Sequence, residues 1–146
     1  MICFCMVGIL SLTGCTHKGD DGDFDLTGKT YKFTVKATGV LAADVIEVRF
    51  VGTPADPNVK TTMKVDGVVQ SNQYSVELTK AQITKSSGVV VESSQPIFQM
   101  GFTLGGNSGT ANHTFTVKID PIVNGTAMTS ISKTFTTDVF AQTYTY

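Results

Sequence analysis

The chain has 146 residues, 16% of them charged, and a formal net charge of −1 at pH 7. That length fits one domain. The scattered lysines, with Arg49 as the only arginine, give no concentrated basic face and so exclude nucleic acid as a partner. All three cysteines (Cys3, Cys5 and Cys15) fall at the N-terminal end, which excludes a disulfide framework in the body. Threonine, glycine and valine are frequent and tryptophan is absent. β-Branched side chains pack well on a pleated sheet and lose rotamer freedom in a helix, so this composition favours strands.

Ile2 to Leu12 is an apolar run. It has the length of a signal-peptide hydrophobic region and falls well short of the ~20 residues that cross a bilayer as a helix. No Lys or Arg precedes it, which leaves room for a start further upstream. The run ends in Leu12-Thr13-Gly14-Cys15, which resembles the lipobox of bacterial lipoproteins. The resemblance implies cleavage after Gly14, attachment of diacylglycerol to Cys15 and a membrane anchor there. Each buried methylene of such a chain contributes about 0.8 kcal/mol, and two or more chains hold a protein stably.

Thr16 to Thr27 reads THKGDDGDFDLT. It is too polar to bury a core, so residues 15–28 read as the lipidated cysteine and a flexible acidic tether. Acidic residues directly behind the lipidated cysteine resemble the export signal of Bacteroidota lipoproteins, which implies the outer face of the outer membrane; the periplasmic face is the alternative. Asp21, Asp23 and Asp25 have the alternate spacing of a calcium loop, but Leu26 and Lys32 stand where that loop needs glycine and a carboxylate. A solvated spacer is the better reading, and no metal or other cofactor is expected.

Residues 29–146 form the single folded domain. Tyr31, Phe33, Val35 and Ala37 alternate with polar residues, as do Ile46, Val48 and Phe50 with Glu47 and Arg49. Each pattern predicts a half-buried strand. A Pro-bearing loop, Thr53 to Asn58, follows. Asp66-Gly67 between Val59–Val65 and Val68–Gln70 predicts a hairpin with a type I′ turn, whose central residues both need φ > 0. Tyr74, Val76 and Leu78 make the next strand, and Thr79 to Gln82 has the pattern of a capping box around one helical turn.

Val89 to Val91 is a short apolar strand, broken at Ser93 to Pro96. Phe98, Met100, Phe102 and Leu104 form one face of the following strand, and Gly105 to Ala111 reads as an exposed loop. Phe115, Val117 and Ile119 alternate in a strand that Pro121 is expected to end. Asn124-Gly125 is a second turn signal. Ile131 and Phe135 lie in a threonine-rich strand, and Val139 to Tyr146 in a terminal one. About eight or nine short strands with no sustained 3.6-residue period point to an all-β, antiparallel sandwich, with a small β-barrel as the alternative. The body resembles Ig-like and fibronectin-III-like sandwiches in architecture, without the Cys and Trp of true Ig domains.

Signatures of chemistry are sparse. There is no G-x-S-x-G, HExxH or P-loop. His113 is the one histidine of the body and reads as a surface residue at a strand end, with no partner that its sequence position supplies. The carboxylates, Asp44 among them, fall mostly where turns or outward strand positions place them. No catalytic residue is expected. Two binding surfaces are candidates: the loops Thr53–Asn58, Ser93–Pro96 and Gly105–Ala111, and the C-terminal strand, where Phe140, Tyr144 and Tyr146 share an alternate face that suits a sugar ring or simply packs on the core. The expected role is a lipid-anchored, non-enzymatic binding or accessory module for a carbohydrate or protein at the cell surface. The rival is an assembly subunit that associates through an edge strand.

Overall fold

In the computed structural model, residues 28–71 and 73–146 are described. The proposed lipobox and the acidic tether up to Thr27 lie outside them. The described residues form eleven strands and one helical turn: β1 Tyr31–Thr38, β2 Val45–Thr53, β3 Met63–Val65, β4 Val68–Val69, β5 Ser75–Leu78, α1 Lys80–Ile83, β6 Val89–Ser93, β7 Gln99–Asn107, β8 Phe115–Val123, β9 Thr126–Ala127, β10 Ile131–Phe135 and β11 Phe140–Thr145. They make two antiparallel sheets. One has the order β10-β8-β1-β6-β3-β4, with β9 paired to β8; the other has the order β11-β7-β2-β5. This is an open all-β sandwich, not a closed barrel.

The alternation of the sequence becomes the core. In β1 every second residue, from Tyr31 to Ala37, is buried. The facing positions of β8 (Phe115, Val117, Ile119) and β6 (Val89, Val91) belong to the same sheet, and Val48, Phe50, Met100, Phe102 and Leu104 close the core from the other. Phe33 lies 5.0 Å from Phe50 and 5.7 Å from Phe102, ring centre to ring centre, so aromatic contacts join the two sheets at their middle.

Both turn signals form as expected. Asp66 and Gly67 have φ of 48° and 79°, and Asn124 and Gly125 have 48° and 77°, the left-handed values a type I′ turn requires. Asp66 also accepts a hydrogen bond from the Val90 N–H at 2.9 Å and one from Lys85 Nζ at 2.8 Å, which fastens the turn to β6 and the segment before it. Thr79 and Gln82 close the capping box of α1.

Four expectations need correction. Gly105 to Asn107 are not loop but the last residues of β7, paired to β11 and β2. Ser108, just beyond, is buried. Pro121 does not end a strand, because β8 runs on to Val123. The Pro121 carbonyl accepts from the Met128 N–H at 2.9 Å, so the side of the residue where an N–H would stand faces the gap between β9 and β10, and the ladder to β1 loses nothing. The first arm of the Asp66 hairpin pairs only from Met63, not from Val59. Finally, Ile97 rather than Phe98 continues the buried face, because the chain crosses between sheets there: Ile97 bridges Lys29, while Phe98 donates its N–H to Thr53 at the end of β2.

Gly67 has open space where a Cβ would stand, so its φ of 79° alone sets the cost of a side chain. Gly67→Ala is expected to lower stability by about 1 kcal/mol, whereas Phe33→Ala, at the middle of the core, is expected to cost about 3–5 kcal/mol. Urea unfolding of the two variants against the parent checks the ranking.

Candidate functional site

Polar side chains concentrate at one end of the sandwich. Asp44, just before β2, is buried, and both its oxygens are used. Oδ2 accepts the Leu41 N–H at 2.7 Å and faces His113 Nε2 at 3.1 Å. Oδ1 accepts the Gly109 N–H at 3.1 Å and the Ser108 hydroxyl at 3.3 Å. Lys80 Nζ reaches the carbonyls of Ala42 and Asp44 in the same turn. One carboxylate thus ties the turn before β2 to the segment between β7 and β8, and the α1 lysine caps the turn from outside.

His113 is therefore a half-buried partner of Asp44, with 20% of its side chain exposed, and not a free surface residue. The sixty-nine positions that separate it from Asp44 hide the pair from any local reading of the sequence. The cluster holds Ser, His and Asp, but in the wrong order for nucleophilic catalysis. A triad needs the imidazole between hydroxyl and carboxylate to take the proton. Here the carboxylate stands between, and the Ser108 hydroxyl is directed to acceptors, Asp44 and the Thr110 carbonyl at 3.0 Å. The arrangement holds loops together.

Burial raises the Asp44 pKa, but the N–H groups of Leu41 and Gly109 together with His113 outweigh it and hold the carboxyl below its usual 3.8. A carboxyl lowered in the folded state stabilises fully above its unfolded pKa, and that stabilisation is lost as pH falls through the folded value. Asp66, held down by the Lys85 ammonium and the Val90 N–H, and Asp120, held down by Lys118 and Ser130, titrate in the same direction. A comparison with Asp44→Asn cancels both. Wild type is expected to exceed this variant in urea midpoint at about pH 5, and the margin is expected to shrink as pH falls below about 4.

The C-terminal aromatics all lie on the inward side of β11, half-buried and packed against the core. Tyr144 stacks on Phe102 at 4.9 Å and Tyr146 lies 5.6 Å from Phe33. Phe140 meets Phe135 edge-on at 5.8 Å and carries the Lys133 ammonium 3.9 Å from its ring centre. Of the three candidate loops, Thr53–Asn58 and Ser93–Pro96 share an end, joined by the Phe98 to Thr53 hydrogen bond, while Gly105–Ala111 lies at the other end of β2.

The outer face of the four-stranded sheet offers a different surface. Gly101 leaves a gap between Val51 of β2 and Thr145 of β11, its neighbours on either side. The result is an open trough of about 200 Å³ lined by Val51, Thr53, Gln99, Thr103, Thr143 and Thr145. None of these side chains is charged. Next to it, sharing Val51 and Thr53, lies an apolar shoulder of Pro54, Pro57 and Tyr74. Tyr74 is 39% exposed, and its hydroxyl donates to the Pro57 carbonyl at 3.4 Å. The sequence pattern assigns Tyr74 to the face of Val76 and Leu78, yet it precedes β5 and stays in solvent. Among the described residues no three His, Cys, Asp or Glu side chains come together to hold a metal ion, and no helix is long and apolar enough to cross a membrane.

At the sequence level no family model and no curated protein matches the chain. Solved structures share its fold. A domain of unknown function (DUF4425) from Bacteroides vulgatus aligns with a TM-score of 0.60 at 13% identity, over 83% of this chain and 94% of that one. A DUF4425 protein from Bacteroides ovatus gives 0.57 at 10% identity, over 82% and 94%. The calcium-bound form of a protein from Parabacteroides distasonis gives 0.55 at 16% identity, over 80% and 93%. At such identities the likeness is one of fold alone.

Proposed function

We propose that this chain is a non-enzymatic binding or accessory module, held to a bacterial outer membrane by lipid on Cys15 and facing the cell exterior, and that it binds a neutral saccharide on the outer face of its four-stranded sheet. The observation that carries this reading is the pairing of an uncharged, hydroxyl-lined trough with an exposed aromatic shoulder. A sugar ring presents C–H groups on one side and hydroxyls around its rim. Tyr74 and Val51 suit the first, and Thr53, Gln99, Thr103, Thr143 and Thr145 suit the second. The rings of Phe140, Tyr144 and Tyr146 already have partners in the core, so Tyr74 is the better platform.

The anchor rests on Leu12-Thr13-Gly14-Cys15 and the acidic residues behind it. Cys15→Ser is expected to abolish metabolic labelling with a fatty acid and to move the protein from the membrane to the soluble fraction; labelling that persists would remove the anchor from the proposal.

Binding is read separately. On an array of neutral oligosaccharides, Tyr74→Ala and Thr103→Arg are each expected to weaken retention roughly tenfold, the first by removing the platform and the second by filling the trough. Both positions are exposed or half-buried at the surface, so thermal unfolding should stay close to that of the parent. Retention that ignores both substitutions would move the binding site elsewhere.

A further inference from the structure

The four-stranded sheet ends in β11, and the two edges of that sheet differ. β5 is four residues long and carries Glu77. β11 is six residues long, and from Val139 to Tyr146 there is no charged side chain, no proline and no glycine. In the other sheet β4 has only two residues, and β10 carries Lys133. Charges, prolines and short length are the usual means by which an edge is kept from pairing with another chain. Among the described strands, β11 lacks all of them.

The register shows which of its peptide groups are free. The Tyr146 N–H donates to the Met100 carbonyl at 3.0 Å, and Tyr144 stands opposite Phe102, Gln142 opposite Leu104 and Phe140 opposite Gly106. Hydrogen-bonded and non-bonded pairs alternate along an antiparallel ladder. The peptide groups of Phe140, Gln142 and Tyr144 therefore face β7, and those of Ala141, Thr143 and Thr145 point away from it, along the open edge.

We propose that this edge pairs with a second copy of the same chain, β11 against β11, antiparallel about a two-fold axis at Thr143. That register sets Ala141 opposite Thr145 of the other copy, Thr143 opposite Thr143, and Thr145 opposite Ala141. Each of these residues brings an outward N–H and C=O, so every pair is a hydrogen-bonded one. The match is specific to a two-fold partner, since an isologous interface requires residue i to meet j while j meets i. No like charges meet across the axis. Thr143 against Thr143 is a cross-strand threonine pair, a pairing of side-chain types that the molecule already uses between Thr103 and Thr143 and between Thr116 and Thr134. On the inner face Phe140 comes opposite Tyr146 and Gln142 opposite Tyr144, which extends the half-buried aromatic row across the axis. The paired sheets form one continuous sheet, with the two troughs side by side on its outer face.

The test uses the full chain in the envelope, with Thr143→Cys as a reporter. Cross-strand Cα separations of about 5.5 Å fall within disulfide range, so a mild oxidant is expected to give a cross-linked dimer at least roughly tenfold above Glu77→Cys on the opposite edge. The unsubstituted chain sets the background from its own cysteines. Adding Ala141→Pro, which removes an outward donor and spares the ladder to β7, or Ala141→Lys, which keeps the donor and places a charge at the edge, is expected to return cross-linking to that background. Cross-linking of Thr143→Cys no greater than that of Glu77→Cys would overturn the proposal. So would a dimer that survives the Ala141→Lys substitution. The saccharide reading stands or falls on the array and is untouched by either result.

Discussion

The contact between Phe33 and the aromatic rings of the opposite sheet fixes the rest of the structure. Phe33 is fully buried at the middle of β1, which is paired on both sides, to β6 and to β8. Its ring meets Phe50, Phe102 and Tyr146 from the other sheet. A slip of one residue in β1 would turn Phe33 to solvent and drive Lys32 and Thr34 into the core, so the packing of one ring specifies the register of three strands. The Tyr31 hydroxyl adds a polar tie across the same interface, donating within 3.2 Å of the Phe98 and Tyr146 carbonyls.

The ends of a sandwich cannot be closed by apolar packing alone, because turning the chain between sheets leaves peptide groups without ladder partners. Here Asp44 fills that need. It accepts from the Leu41 and Gly109 N–H groups, while Lys80 takes up carbonyls of the Asp44 turn. His113 and Ser108 complete the set around the carboxylate. The same density of titratable groups that invites a catalytic reading is what a loop clamp needs, and the order of the groups decides between them. The chemistry of that end is consumed internally, while the trough on the outer face of the smaller sheet stays open.

Much of this fold is legible in the sequence because strand periodicity and turn chemistry are local. Tyr31 to Ala37, Val48 with Phe50, and Phe115 to Ile119 alternate so strictly that face and core follow directly. Asp66-Gly67 and Asn124-Gly125 announce hairpins because few other dipeptides tolerate two left-handed residues. What is lost is whatever depends on a distant partner. Pro121 reads as a strand end unless one knows that its N side faces a gap in the neighbouring strand. Gly105 to Asn107 read as loop unless β11 is seen to pair with them. Asp44 and His113 find each other only when two loops far apart in sequence fold to one end. Tyr74 obeys the alternation of its strand, yet it stands just before β5 and lies 39% exposed on the shoulder beside the trough.

β11 shows how one strand serves two purposes through its period of two. Phe140 and Tyr144 direct their peptide groups to β7 and their rings inward, so each is held twice, by the ladder and by the core. Ala141, Thr143 and Thr145 do neither. Their side chains stand on the outer face, where the two threonines wall the trough, and their peptide groups point along the open edge. The strand is thus divided residue by residue into a half that the fold consumes and a half that it leaves available. Because the consumed half is anchored by stacking on Phe102 and by contact with Phe33 and Phe135, the available half is presented in a fixed, extended conformation. A strand already ordered in this way loses little conformational entropy when it meets a partner, which is the condition under which a few uncharged hydrogen-bonding groups suffice for recognition.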